Sequence, residues 1–231
     1  MNNMKQRLTG KILSMLFLLF AIGWTTSANA VATVTKDGTD LKISFEAAGD
    51  FCALVENKDY NYFLPSYYGG ATKIIFDGPE LNSKDVAQFY RLGDENDKDK
   101  VIDLRSVKTI TTDGLNVGNN LTPDIWFPNG FGLDDLKSYF PNFWNSHNFI
   151  SLSSDGSIVN IVGSNKSLNP TTSSLLKDNT SSLVYYSTST PTKEIFESFD
   201  IKGIKNLVLS YADFTISNSD NFADFKNIAR V

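Results

Sequence analysis

The chain has 231 residues, of which 41% are hydrophobic, and carries a formal net charge of −5 with a single cysteine, Cys52. An acidic chain lacks the basic surface that nucleic acids and anionic lipids require, so we do not expect nucleic-acid binding. A lone cysteine excludes an intramolecular disulfide, and the apolar neighbours of Cys52 predict a buried structural thiol.

The first thirty residues have the order of a secretory signal peptide. Lys5, Arg7 and Lys11 form a positive segment, residues 12–22 are almost continuously apolar, and an A-x-A cleavage motif ends at Ala30. The apolar stretch is shorter than the roughly twenty residues that a membrane anchor needs. We therefore expect export and cleavage, with an uncleaved anchor as the alternative.

Cleavage would leave a mature chain that begins at Val31, with 18 basic and 26 acidic residues and a net charge of −8. Because Val31, and not a cysteine, directly follows the cleavage site, we do not expect a lipoprotein. No later segment is apolar over enough residues to span a bilayer, so no stable membrane insertion is expected after cleavage. The predicted location is extracytoplasmic: secreted, at the cell surface or in the periplasm.

Residues 31–70 are predicted to form a small N-terminal β/α cap. Residues 33–35 and 41–45 alternate around the turn-forming residues 36–39, which predicts a β-hairpin, and residues 47–62 predict a short helix followed by a loop. A stack of repeats needs such a cap, because its terminal repeat otherwise exposes an apolar side.

From residue 71 to residue 231 a short apolar run recurs at steps of 28, 23, 25, 33 and 24 residues. The aligned positions are Phe76, Leu104, Phe127, Leu152, Tyr185 and Leu209. Recurrence at this spacing is typical of stacked units that cannot bury their own apolar faces. It predicts an irregular α/β solenoid, a leucine-rich-repeat-like stack of strand–turn–helix units.

The first two units have the clearest content. A strand at residues 73–76 leads to a helix capped by Asn82 or Ser83, with Asp85 in the first turn, where the helix dipole favours an anion. In the second unit every third position is expected to face inward: Val101, Leu104, Val107 and Ile110.

The later units are less regular. The third has a strand at residues 124–127, a turn at residues 128–130 and a short helix from Leu133, and the fourth has a strand at residues 149–152 and a second alternating stretch. Residues 165–180 are rich in Ser, Thr and Asn, which predicts a loop insertion or an irregular turn that accounts for the long step of 33 residues. Strands are also predicted at residues 183–186 and 207–209.

Two segments carry a family resemblance. ATKIIFDGPELNSKDV (residues 71–86) resembles the entry repeat of secreted leucine-rich repeat (BspA-like) proteins of Bacteroides-type bacteria, and VIDLRSVKTI (residues 101–110) is similar to the strand of their next unit. The resemblance covers residues 47–115; after residue 123 the strands are aromatic where that family has leucine. It implies surface display or secretion and binding to a protein or glycan, and it supplies no catalytic residues.

No catalytic constellation stands out. His147 is the only histidine, and its neighbour Ser146 is poorly placed for a nucleophile–base pair, so a packed loop histidine is the better interpretation. The acidic residues 94–99 lack the ligand pattern of an EF-hand, and one histidine with one cysteine predicts no zinc site. Asp134 and Asp135 are expected to begin a helix. We therefore expect no catalytic residue, metal or cofactor.

The aromatic residues crowd two regions, around residues 60–68 and 126–144. Exposed aromatic clusters bind sugars or proteins, and buried ones build cores. The candidates for a ligand-contacting surface, with core packing as the alternative, are Tyr67, Tyr68, Trp126 and Trp144. The predicted function is a non-enzymatic binding or adhesion protein. A carbohydrate-active enzyme on a solenoid scaffold, or an assembly protein that stacks through its terminal repeat, are the alternatives.

Overall fold

The computed structural model describes residues 32–56, 71–89, 100–111, 124–143, 148–163, 167–187 and 203–210. In these residues the strands are β1 (Thr33–Asp37), β2 (Asp40–Ser44), β3 (Lys73–Leu81), β4 (Val101–Ile110), β5 (Asp124–Trp126), β6 (Phe149–Leu152), β7 (Ile158–Gly163), β8 (Ser182–Ser187) and β9 (Asn206–Ser210). The helices are α1 (Asp50–Glu56), α2 (Ser83–Val86), α3 (Leu133–Phe143) and a 3-10 helix (Pro170–Leu175).

All of these strands belong to one sheet, in which the spatial order is the chain order from β1 to β9. Strands β2 to β6 are parallel, β7 to β9 are parallel, and the pairs β1–β2 and β6–β7 are antiparallel. Within the described part of the chain the sheet is open, since β1 pairs only with β2 and β9 only with β8. A mostly parallel sheet with few helices confirms the α/β class of the sequence prediction.

The predicted N-terminal hairpin is confirmed and is continuous with the sheet. Its turn places Gly38 at a φ of 57°, in the left-handed region that glycine adopts without a steric penalty. Strand β2 then pairs in parallel with β3, with Leu41 beside Ile74 and Ile43 beside Phe76. The apolar face of the hairpin therefore extends the apolar face of β3.

The sheet has two faces, each with its own core. The first face packs against α1, α2 and α3, and its core includes Ile43, Phe51, Phe76, Phe89, Leu104, Phe127, Leu136, Phe149 and Val162. At its centre Phe76 is fully buried, with ring centroids 4.9 Å from Phe51 and 5.0 Å from Phe89. The second face packs against the segment around the 3-10 helix, and its core includes Val101, Trp126, Ile150, Ile161, Leu168, Leu175, Leu183, Tyr185 and Leu207.

The antiparallel step between β6 and β7 explains why the covering segments change sides. Connections between parallel strands keep one hand almost without exception. Suppose that the strands reverse direction while the chain continues to add strands on the same side of the sheet. A crossover of the same right-handed sense then has to lie on the opposite face of the sheet. Accordingly, α3 connects β5 to β6 on the first face, whereas the 3-10 helix connects β7 to β8 on the second face.

The same step accounts for the long spacing of 33 residues. It contains an additional strand, β7, which follows a tight turn at Asp155 and Gly156. The predicted loop insertion at residues 165–180 is corrected in part, because Pro170–Leu175 form a 3-10 helix capped by Asn169, with Thr172 and Leu175 buried. Burial of Leu175 on the sheet gives this Ser- and Thr-rich segment an ordered position that its composition does not reveal.

The four residues of the predicted three-residue rhythm are all buried in β4, but they do not share one face. Val101 packs in the second core, whereas Leu104, Val107 and Ile110 pack in the first. Ile102 and Asp103 are buried as well. The register with β3 shifts between Ile75 and Asp77, so that β4 holds one extra residue there. A bulge of this kind rotates the faces of the strand, and the spacing departs locally from simple alternation.

Gly78 in β3 lies directly beneath the ring of Phe45, which a Cβ at that position would overlap. We expect Gly78→Ala to lower the free energy of unfolding by about 2 kcal/mol, because the ring has to leave its well-packed position. Gly132→Ala is the matched control, since its Cβ would meet only the Asp135 carboxylate at 3.5 Å. Urea unfolding of both variants checks this prediction, and equal stabilities would contradict it.

Candidate functional site

The second face of the sheet carries charged side chains where it crosses β2, β3 and β4. Lys42 Nζ lies 2.6 Å from Asp77 Oδ2, and Lys73 Nζ lies 2.9 Å from Asp40 Oδ2. These four side chains are all partly exposed. We call this surface the ion-pair face; its members are Asp40, Lys42, Lys73, Asp77, Asp103 and Arg105.

Strand alternation and register build the ion-pair face. Leu41 and Ile43 point into the first core, so their neighbours Asp40 and Lys42 point the other way. The register sets Asp40 beside Lys73, which makes that pair a direct cross-strand contact. Exposed ion pairs contribute little to stability, about 0–1 kcal/mol each. Their main consequence is a polar surface on adjacent parallel strands.

Arg105 and Asp103, both on β4, form the third ion pair. Arg105 Nε donates to Asp103 Oδ1 at 2.9 Å and Nη2 donates to Oδ2 at 2.6 Å, so the contact is bidentate. The Asp103 side chain is only 5% exposed, whereas that of Arg105 is 38% exposed. The hydrogen bonds that Arg105 donates to Asp103 raise the pKa of Arg105, which keeps the guanidinium charged at every accessible pH.

Trp126 on β5 supports the Arg105 guanidinium from below. The guanidinium carbon lies 4.9 Å from the centre of the indole ring, a cation–π arrangement, and the indole Nε1 donates to Thr172 Oγ1 at 3.3 Å. Trp126 is 1% exposed. It therefore has no free ring face for a ligand, and the sequence-based proposal that it contacts ligand directly is corrected to a supporting role beneath Arg105.

The other three candidates, Tyr67, Tyr68 and Trp144, lie outside the described residues, and so do His147 and residues 94–99. Sequence reasoning missed Arg105 and Asp103 as members of a surface site. Their signal was the pair of opposite charges, Asp103 and Arg105, two residues apart on one strand, a pattern that first suggested a repeat consensus. Only the burial of Asp103 and the exposure of Arg105 distinguish a surface cation from a core contact.

A second polar cluster lies deeper, between the sheet and the 3-10 helix. The buried Asp124 carboxylate accepts hydrogen bonds from Asn148 Nδ2 at 2.9 Å, from the Asn169 amide at 2.8 Å and from Thr172 Oγ1 at 2.6 Å. A buried carboxylate needs such donors to offset its desolvation. This arrangement ties the crossing segment to β5, and it positions the hydroxyl of Thr172 that receives the Trp126 indole N–H.

The carboxylates at the start of α3 match their predicted role at a helix N-terminus. Asp135 accepts a hydrogen bond from the Gly132 amide at 2.7 Å, and Asp134 projects into solvent. The predicted burial of Cys52 is also confirmed; burial raises the pKa of its thiol, which disfavours the reactive thiolate. Within the described ranges, no group of three or more His, Cys, Asp or Glu side chains could hold a metal ion.

The turn between β6 and β7 holds an exposed carboxylate with an unusual acidity. Hydrogen bonds from the Ser153 hydroxyl and from the amide and hydroxyl of Ser157 lower the pKa of Asp155 from 3.8 to about 2. A lowered folded pKa means that the contribution of Asp155 to stability is present above about pH 4 and is lost as the pH falls through about 2.

We expect the Asp155 carboxyl carbon to titrate in NMR with a midpoint near pH 2, as its lowered pKa requires. Removing the main donor with Ser153→Ala is expected to move the midpoint upward, toward the ordinary value of 3.8. Ser154→Ala in the same turn is the control, because Ser154 donates no hydrogen bond to Asp155 among the described contacts. A midpoint near 4 in the unaltered chain would contradict the prediction.

No protein-family model matches this chain, and no curated protein and no solved structure matches it either. In the part of the chain that the structure describes, no helix is long and apolar enough to cross a membrane.

Proposed function

We propose that the chain is an exported, non-enzymatic binding protein that holds a protein or glycan partner on the ion-pair face. The observation that carries this proposal is the row of partly exposed charged side chains on three adjacent strands, with α1, α2 and α3 packed on the other face. In this proposal the parallel strands β2 to β6 are the start of a leucine-rich-repeat-like stack.

Several features support a binding role for this face. Its side chains come from neighbouring strands at a fixed separation, about 4.8 Å from one strand to the next. Its charges are held in place by ion pairs rather than being left on flexible stems. A rigid polar surface of this kind loses little conformational entropy when it binds a partner.

A binding screen of the mature chain against immobilised matrix proteins and polysaccharides tests the proposed function. We expect at least one partner with a Kd below about 1 mM, weakened about tenfold by the double variant Lys42→Glu and Lys73→Glu, because both cations of the face are reversed. Lys84→Glu on α2 is the control, since it changes the same charge on an exposed residue outside the ion-pair face. Absence of any such partner, or an equal loss from the control, would refute the proposed function.

Export is part of the proposal and has a direct test. We expect N-terminal sequencing of the protein from a secreting host to begin at Val31, because the A-x-A motif ends at Ala30. Ala28→Arg together with Ala30→Arg is expected to prevent this cleavage. A mature protein that still begins at Met1 would contradict the signal-peptide assignment.

One observation favours a second candidate, an assembly role through β9. Among the described strands β9 pairs with β8 alone, and Val208 on β9 is 50% exposed. An edge strand of this kind can pair with another chain. Sedimentation of the mature chain tests the candidate: a concentration-dependent oligomer that Val208→Lys disperses would favour it, and a strict monomer at high concentration would refute it.

A further inference from the structure

The Arg105 guanidinium has a second donor edge in addition to the one that holds Asp103. Nε and one hydrogen of Nη2 are used by the Asp103 carboxylate. A guanidinium has five N–H groups in a planar fork, so Nη1 and the remaining hydrogen of Nη2 form an end-on pair of donors. Among the described residues, no acceptor takes a hydrogen bond from Nη1.

The positive charge of Arg105 is exposed to solvent, whereas its counter-ion Asp103 is not. Asp103 is 5% exposed and lies behind the guanidinium, while Arg105 is 38% exposed. In the two lysine pairs of the ion-pair face, by contrast, the carboxylate and the ammonium are both partly exposed. Arg105 is thus the one member of the ion-pair face that presents positive charge with its counter-ion shielded.

The guanidinium is also held in one orientation. Asp103 fixes it from one edge, and the indole of Trp126 supports its plane from below. Trp126 is itself fixed by its hydrogen bond to Thr172. Arginine held in this way recognises a carboxylate through two parallel hydrogen bonds, with little further loss of side-chain freedom.

We propose that the end-on edge of Arg105 anchors a carboxylate side chain of an acidic, extended peptide segment in a protein partner. This inference rests on the proposed function and specifies its contact chemistry. A peptide is favoured over a sugar because Trp126, the aromatic ring at this site, is buried and offers no stacking platform. In an extended peptide, every second side chain points to the same side, so alternating acids can face Arg105 and the lysines of β2 and β3.

The test uses the peptide Ac-Thr-Glu-Thr-Glu-Thr-NH2 and its glutamine counterpart Ac-Thr-Gln-Thr-Gln-Thr-NH2. We expect the acidic peptide, added to the isotope-labelled mature chain at low salt, to shift the Arg105 Nε–H and Trp126 indole N–H resonances with a saturating curve. The glutamine peptide should bind about tenfold more weakly, because a charge-assisted pair becomes a neutral one.

Arg105→Lys is the decisive variant, because it keeps a cation for Asp103 and removes the planar fork. We expect it to weaken binding of the acidic peptide about tenfold, whereas Lys108→Gln on the same strand changes it less than about twofold. Unchanged backbone amide resonances of β7 to β9 in unliganded Arg105→Lys would show that the fold is kept. Should those resonances move, the Asp103→Asn variant provides the second measurement. It keeps the Arg105 cation but removes its bidentate carboxylate partner, so it should also weaken binding of the acidic peptide, and unchanged binding would refute the anchor.

The results separate this inference from the proposed function. If a partner from the screen binds Arg105→Lys as well as the unaltered chain, the anchor is refuted and the binding function stands. If trigalacturonate shifts the Arg105 signal more strongly than the acidic peptide does, the assignment to a peptide is overturned in favour of an acidic glycan. If neither probe moves the Arg105 and Trp126 signals, the carboxylate anchor is refuted whatever the screen finds.

Discussion

Asp85→Ala is expected to lower the free energy of unfolding by about 4 kcal/mol. The Asp85 side chain is fully buried, and its carboxylate accepts three backbone amide hydrogen bonds. These come from Gly49 at 2.7 Å, Cys52 at 2.8 Å and Asn82 at 3.1 Å. Removal of the carboxylate leaves all three amides without this acceptor, and it takes an anion away from the start of both α1 and α2.

Urea unfolding of the mature chain measures this effect. Asp85→Asn should fall between alanine and the unaltered chain, since its single carbonyl oxygen can accept only part of the three bonds. Asp134→Ala is the matched control, an aspartate in the first turn of α3 whose side chain is 99% exposed, and we expect a change within about 0.5 kcal/mol. A loss below 1 kcal/mol for Asp85→Ala would show that the two helix starts do not depend on this carboxylate.

Asp124→Ala is expected to destabilise the fold by about 3 kcal/mol, with its largest effect on the second face. Its carboxylate joins Asn148, Asn169 and Thr172, so its removal frees the segment that crosses from β7 to β8. We expect faster hydrogen exchange at the amides of Asn169 and Thr172, while those of β2 and β3 remain protected. The physical reason is that β2 and β3 belong to the first core and do not touch this cluster.

Asp178→Ala is the control for this experiment, because it removes an exposed acid from the same crossing segment. Its expected effect on stability is within about 0.5 kcal/mol. Uniform loss of protection throughout the sheet in Asp124→Ala would contradict a local role. Since Thr172 also receives the Trp126 indole N–H, Asp124→Ala should weaken the support of Arg105 and reduce binding of the acidic peptide as well.

The two buried aspartates and the ion-pair face illustrate a general distinction within this sheet. Asp85 and Asp124 accept hydrogen bonds from surrounding amide and hydroxyl groups, and these bonds link separate segments of the chain. Asp40 and Asp77 are paired with partly exposed lysines, where the interaction contributes little to stability. We infer that variants of the buried acids will affect folding, and variants of the exposed pairs will affect recognition.

Local rules in the sequence predicted much of the fold. The N-terminal cap of α2 is an example. The Asn82 side chain accepts hydrogen bonds from the amides of Lys84 and Asp85, and the Asp85 carboxylate accepts one from the Asn82 amide. All of these partners lie within three residues of one another, so a short pattern is enough to identify them. The hairpin around Gly38 was predictable for the same reason.

Contacts between distant segments were not predictable in this way. The Asp85 carboxylate accepts hydrogen bonds from the amides of Gly49 and Cys52, which lie 36 and 33 residues away in the sequence. Nothing in the sequence indicates that the start of α1 lies beside that carboxylate. The same holds for Trp126, whose burial depends on the 3-10 helix more than forty residues later. An aromatic residue in a strand has the same local sequence signal whether its ring faces solvent or another segment.

The sequence by itself determined the α/β class, the positions of most strands and the helix starts, because these depend on apolar spacing and on hydrogen bonds between near neighbours. Only the tertiary structure decided the reversal between β6 and β7, the change of covering face, and the exposure of Arg105 above a buried Asp103. Apolar spacing is the same for either strand direction, and the environment of a charged side chain is set by whatever segment packs beside it. The surface proposed for binding is therefore a product of packing.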